Sequence, residues 1–161
     1  MSSLRPRSAG RSRHYLAAAL IGLALTAVAP ATASAHRSIV LRYQKTCVDT
    51  TCNGTLVKHS GQPIPGTSVT ASLSPLWFET GIFGFTATET IASTTSSFTM
   101  NHVGVADQKP DPHAIYVLGA VTTGSWNGVP LAGALVRIRA AGIPRSNVVV
   151  ATVRIDPPHN D

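Results

Sequence analysis

The chain has 161 residues, 43% hydrophobic and 12% charged, with thirteen Lys and Arg against seven Asp and Glu. Its formal net charge of +6 overstates the case for a polyanionic partner, because Arg5, Arg7, Arg11 and Arg13 all lie at the extreme N-terminus. Without them nine basic residues face seven acids, a net +2, and no Lys- or Arg-rich run with interleaved aromatics is left to drive counterion release, so no nucleic-acid partner is expected.

Those four arginines open onto an apolar run, Leu16 to Val28, followed by Pro30 and by Ala33-Ser34-Ala35. A basic leader, a short apolar segment, a helix breaker and small residues two apart form the pattern of a secretory signal peptide. Residues 1–35 are therefore expected to be a cleaved signal-peptide helix and 36–161 a secreted, extracellular domain. An apolar run of about 13 to 15 residues falls short of the about 20 that span a bilayer. No later segment is longer, so no membrane span is expected after cleavage. Export to an oxidising compartment makes a disulfide the natural reading of Cys47 and Cys52 in Cys-Val-Asp-Thr-Thr-Cys. Closing so short a ring contributes roughly 2 kcal/mol, enough to pin a local turn.

From Ser38 the chain reads as a succession of strands. Ser38–Gln44 is rich in β-branched and aromatic residues and runs into the cysteine loop. A second strand is expected over Gly54–His59. In Thr67–Leu73 the apolar Val69, Ala71 and Leu73 alternate with Thr70 and Ser72, giving one apolar and one hydroxyl face. Pro75 is expected to end that strand, with Leu76-Trp77-Phe78 plugging one end of the core. Phe83–Ile91 resumes the alternation, Ser93–Ser97 has turn composition, and the strand that follows to Val103 puts Phe98, Met100 and His102 on one face. Gly104–His113, with two prolines and mixed charge, is the expected long loop. Ala114–Thr123 is nearly continuous in apolar residues, and Asn127-Gly128 supplies the positive φ of a tight turn. Leu131–Ala140 and Asn147–Ile155 complete a tally of about eight strands. The expectation is an all-β protein: a single antiparallel β-sandwich, with a closed β-barrel as the alternative.

Two stretches echo each other 67 residues apart: Gly61-Gln62-Pro63-Ile64-Pro65-Gly66-Thr67-Ser68-Val69 and Gly128-Val129-Pro130-Leu131-Ala132-Gly133-Ala134-Leu135-Val136. Glycine turns the chain, proline fixes φ, an apolar residue tucks in, a second glycine permits a bend, and a strand follows. This Gly-x-Pro-x-x-Gly-x-x-Val pattern resembles the opening strands of secreted β-sandwich modules of the carboxypeptidase-regulatory-like, transthyretin-like and bacterial Ig-like groups. The resemblance implies a structural or binding module and carries no common catalytic residue. One copy per module would demand two undersized domains, so the echo is read as two halves of one pseudo-symmetric sandwich or barrel.

Among residues that could carry chemistry, Glu89 and His102 stand out because each falls on the apolar face of its strand. A hairpin pairing Ile91 with Met100 would set Glu89 opposite His102, and a carboxylate holding an imidazole is the orienting half of many acid/base and metal sites. His36, freed by cleavage, would offer an α-amino group and an imidazole to copper, the start seen in lytic polysaccharide monooxygenases and copper-resistance proteins; His59, His102, His113 and His159 could supply a second ligand. Glu79 with Glu89 forms a conceivable glycosidase pair. Arg137, Arg139 and Arg154 read as a basic patch on a solvated sheet face, and Trp77, Phe78 and Trp126 as seals at the ends of the core or a carbohydrate surface. Nucleophile elbow, phosphate loop and His-Glu-x-x-His are absent from the sequence.

Three functions follow. The first is a secreted non-enzymatic binding or structural module for an extracellular ligand or protein. The second is a small enzyme, copper-dependent through His36 or acid/base through Glu89 and His102. The third is a β-barrel holding an apolar small molecule, with inward Phe83, Phe85, Phe98 and Met100 lining its cavity.

Overall fold

The computed structural model describes residues 37–108, 114–143 and 146–158; the leader, 1–35, and His36 lie outside them. Every regular element is a strand: β1 (Ile39–Val48), β2 (Thr51–Leu56), β3 (Ser68–Glu79), β4 (Ile82–Ala92), β5 (Ser97–Asp107), β6 (Ala114–Trp126), the two-residue β7 (Val129–Pro130), β8 (Leu135–Gly142) and β9 (Val148–Asp156). Among the described residues no helix is long and apolar enough to cross a membrane.

All pairings are antiparallel between neighbours, and the sheet closes on itself. Strand β6 pairs with both β5 and β8, while β9 returns to β1, from Ile39 opposite Ile155 to Thr46 opposite Val148. The protein is thus an eight-stranded up-and-down barrel with β7 as a short appendage, and the expected sandwich is corrected to the barrel alternative. Period-two alternation is the same in both architectures. What separates them is the β9–β1 seam, which joins the first and last strands, so that each of the eight barrel strands is paired on both sides.

Inward positions carry the apolar half of each strand. Tyr43, Leu56, Val69, Ile91, Phe98, Met100, Val121, Val136, Val153 and Ile155 are all buried, whereas the alternate positions Thr70, Ser72, Thr86 and Thr88 face water. One end of the barrel is closed. There Trp126 meets Phe98 edge-on at 5.7 Å, and Leu131 and Ala134 fold across it, fully buried.

The two copies of the echoed motif fold alike, and both cross this closed end. Gly61 and Gly66 in one, Gly128 and Gly133 in the other, all adopt positive φ, which glycine reaches without a Cβ penalty. In each copy the proline bridges back to chain just before it, Pro63 to Val57 and Pro130 to Ser125. The terminal valine, Val69 or Val136, then enters the core.

Two strand boundaries here differ from the sequence expectation. Pro75 does not end β3: the strand runs on to Glu79, with a register irregularity between Pro75 and Trp77 that absorbs the missing N–H. Beyond it Leu76, Trp77 and Phe78 are exposed, so they plug nothing; the β3–β4 hairpin carries them past the rim. Gly104–Asp107, expected as loop, continues β5 against β6. Arg137, Arg139 and Arg154 lie on the solvated sheet face, as expected. Arg137 and Arg154 both donate to Asp156, which also accepts from the Ser38 hydroxyl, tying β8, β9 and the start of β1 together.

Candidate functional site

The opposite end of the barrel is where the sheet holds a cavity. There the β1–β2 and β8–β9 connections and the adjoining strand ends enclose a space of about 330 Å³. Its wall is mostly apolar, with Leu73, Phe83, Phe85, Ile115, Val117, Ile138 and Ala140 all turned inward. Asp49, Thr50, Gln108 and Ser146 form an exposed rim. Small residues make the room: at Gly104 an added Cβ would collide with the Phe85 ring, so only glycine lets that ring lie flat along the wall.

The floor is polar. Lys45, from β1, reaches Glu89, from β4, with Nζ 2.8 Å from Oε2. His102, from β5, places Nε2 3.2 Å from the same oxygen. The Tyr43 ring lies under the ammonium, 5.0 Å from centroid to Nζ, a distance at which ring and cation attract. Glu89 is fully buried, His102 nearly so, and the Lys45 side chain retains 10% of its exposure. Alternation alone delivers these groups, because positions 43 and 45, 87 and 89, and 102 share the inward parity of their strands.

Electrostatics fixes the protonation pattern. Burial pushes the Glu89 carboxyl upward, but the hydrogen bond from His102 and then the charge and hydrogen bond of Lys45 outweigh it, leaving the pKa below its ordinary value. The carboxylate is therefore ionised, and His102 Nε2–H must donate to it. The Tyr43 phenol is held well above its usual range, first by burial, then by the negative charge on Glu89 and by hydrogen bonding to that carboxylate. Two buried atoms are left over: Glu89 Oε1, an acceptor, and His102 Nδ1, which accepts in the neutral imidazole, have no hydrogen-bond partner among the described residues. Lys45, with three donors, spends one on Glu89. Such a floor can bind both a donor and an acceptor.

Glu89 and His102 do meet, although through another register. Ser93 N–H donates to Ser96 O in the connecting turn, so Ala92 pairs with Ser97 and Ile91 with Phe98. Glu89 lies opposite Met100, and His102 opposite Ala87. The expected pairing of Ile91 with Met100 is corrected by two residues, and contact survives because the two side chains become diagonal neighbours, still within reach of each other.

Cys47 and Cys52 form the expected disulfide. They face each other directly across the β1–β2 hairpin and line the cavity. His36, the expected copper ligand, lies outside the described residues, as do His113 and His159. His59 is on the outside, bonded to Arg42 at 2.9 Å. Among the described residues no group of three or more His, Cys, Asp or Glu is placed to hold a metal. Glu79 pairs with Ile82 at the tip of its hairpin, seven positions from Glu89 or about 23 Å along the strand. That exceeds any glycosidase spacing. Phe83 and Phe85 line the cavity, but Phe98 and Met100, expected beside them, are packed into the closed end with 1% and 0% exposure.

Sequence reasoning missed Lys45 and Tyr43. Both were legible by phase, since Ile39, Leu41, Tyr43, Lys45 and Cys47 are spaced by two; ending the strand at Gln44 removed the lysine from view.

Comparison of the chain with protein-family models, with curated proteins and with solved structures finds no match.

Proposed function

We propose that this is a secreted β-barrel whose lumen binds a small, mainly apolar molecule at the end opposite the closed core. One observation carries the reading: a barrel of eight strands, tightly packed at one end, leaves about 330 Å³ of apolar-walled space at the other. Cavities of that size and lining are the usual form of small-molecule sites, and in a close-packed interior a void with no occupant is destabilising. The Cys47–Cys52 disulfide supports an oxidising, extracellular setting.

The test is a calorimetric titration with methylnaphthalene, a neutral probe small enough for the lumen, against the natural protein and against Ala140→Trp. Ala140 lines the cavity, and an indole there fills much of it. Saturable binding by the natural protein that the tryptophan variant loses supports lumenal binding; equal affinity in both, or no binding, refutes it.

The hydrogen bond between Glu89 and His102 favours a second reading, in which the same cavity is an acid/base active site. His102, oriented through Nε2 and free at Nδ1, would be the base. Turnover abolished by His102→Gln, with binding kept, would establish it.

A further inference from the structure

A lysine at the bottom of an apolar lumen suggests at first sight a site for a carboxylate, such as that of a fatty acid. The floor is built against that. Glu89 sits 2.8 Å from Lys45 Nζ and is held ionised, so the two formal charges cancel. An incoming carboxylate would give up its hydration and then meet a second carboxylate beside Lys45, the one ammonium that lines the cavity among the described residues.

The same atoms fit a neutral hydroxyl. Lys45 keeps N–H donors beyond the one spent on Glu89, and its side chain is the floor group that retains exposure. Glu89 Oε1 is a buried acceptor without a hydrogen-bond partner among the described residues, as is His102 Nδ1 in the neutral imidazole, and groups of this kind are normally satisfied in a native protein. A hydroxyl accepts from Lys45 and donates to one of the two acceptors. A ketone or ether leaves both acceptors unpaired, and a hydrocarbon leaves the Lys45 donors unpaired as well.

We infer that the lumen selects neutral, hydroxyl-bearing apolar molecules, alcohols or phenols, and that Glu89 is the residue that excludes carboxylates. This rests on the lumenal binding proposed above. Lys45 and Glu89 here act as specificity determinants by touching the head group.

Three probes with one body and different heads test it: naphthyl methanol, naphthoate and methylnaphthalene, titrated at neutral pH. Hydrogen bonds to charged groups are strong enough that naphthyl methanol should bind at least about tenfold more tightly than either of the others. In Glu89→Gln, an isosteric change that leaves Lys45 uncancelled, the order should invert, with naphthoate becoming the tightest. Lys45→Met should reduce naphthyl methanol to the level of methylnaphthalene. The ranking in the unaltered protein depends on no variant folding. Naphthoate binding as tightly as naphthyl methanol there overturns the inference, as does an unchanged order in a folded Glu89→Gln protein. Equal binding of all three in the lumen removes the head-group selection and leaves lumenal binding standing. No binding of any probe removes both.

Discussion

At the scale of single residues, the unusual feature is an ion pair placed where the rest of the interior is apolar. Burying Lys45 and Glu89 together costs desolvation on both, and the pair is tolerated because Nζ and His102 Nε2 converge on one carboxylate oxygen. Removing one partner is therefore worse than removing both. We expect Lys45→Met to destabilise the protein by about 3 kcal/mol in denaturant unfolding, since it strands a buried carboxylate, and Lys45→Met combined with Glu89→Gln to recover most of that loss. Additive losses in the double variant would show that the two groups do not interact.

Acid provides an independent check on the same pair. The Glu89 pKa is lowered in the folded protein from an ordinary 4.5, so the unfolded state binds the proton more readily. Its stabilising contribution is complete above the unfolded value and is lost as pH falls through the folded one. Melting temperatures of the natural protein and of Glu89→Gln should thus differ most above pH 4.5 and converge as pH falls below it, through the lower folded value. A difference that does not vary with pH would contradict an ionised Glu89.

At the scale of elements, the chain uses its turns and small residues to shape the lumen. The β1–β2 hairpin, closed by Cys47–Cys52, forms part of the cavity wall. Its ring is short, so replacing both cysteines by alanine should lower stability by only about 2 kcal/mol while the barrel persists. Retained strand signal in circular dichroism with a modest shift in denaturation midpoint is the expected result; global unfolding would assign the bridge a larger role. Gly104→Val should act differently, because a side chain there drives the Phe85 ring off the wall. It is expected to cost about 1–3 kcal/mol, the range for overpacking, and to weaken binding of any lumenal probe. Unchanged affinity would mean that Phe85 does not shape the site.

Much of this level was legible in the sequence, and the misses have local causes. Alternation located β3, β4, β5, β8 and β9 and put Glu89 and His102 on inward faces, and a continuous apolar run located β6. Pro75 misled because proline is excluded from regular ladder positions but accepted at a bulge, and the strand resumes beyond it. The hairpin register was off by two because either register leaves the same residues inside; the tight Ser93–Ser96 turn decides it. Lys45 was lost by taking a charged residue as the end of a strand, when its period matched the buried residues before it.

At the scale of the whole molecule, closure is what sequence periodicity could not supply. Sandwich and barrel share the strand count, the alternation and the turns, and only the pairing of β1 with β9 distinguishes them. Closure also creates the site. It brings β1, β4 and β5 around one lumen, so Lys45 meets Glu89 across 44 residues of sequence. The repeated Gly-x-Pro-x-x-Gly-x-x-Val motif seals the end away from that site in both of its copies, leaving the other end to hold the cavity.

A crystal structure of the protein with naphthyl methanol tests the central claim most directly. The account predicts the naphthalene between Phe85 and Ile138, inside the barrel, with the hydroxyl oxygen within hydrogen-bonding distance of Lys45 Nζ. A probe bound on the outer surface, or a lumen filled by its own side chains with Lys45 turned away from Glu89, would contradict it.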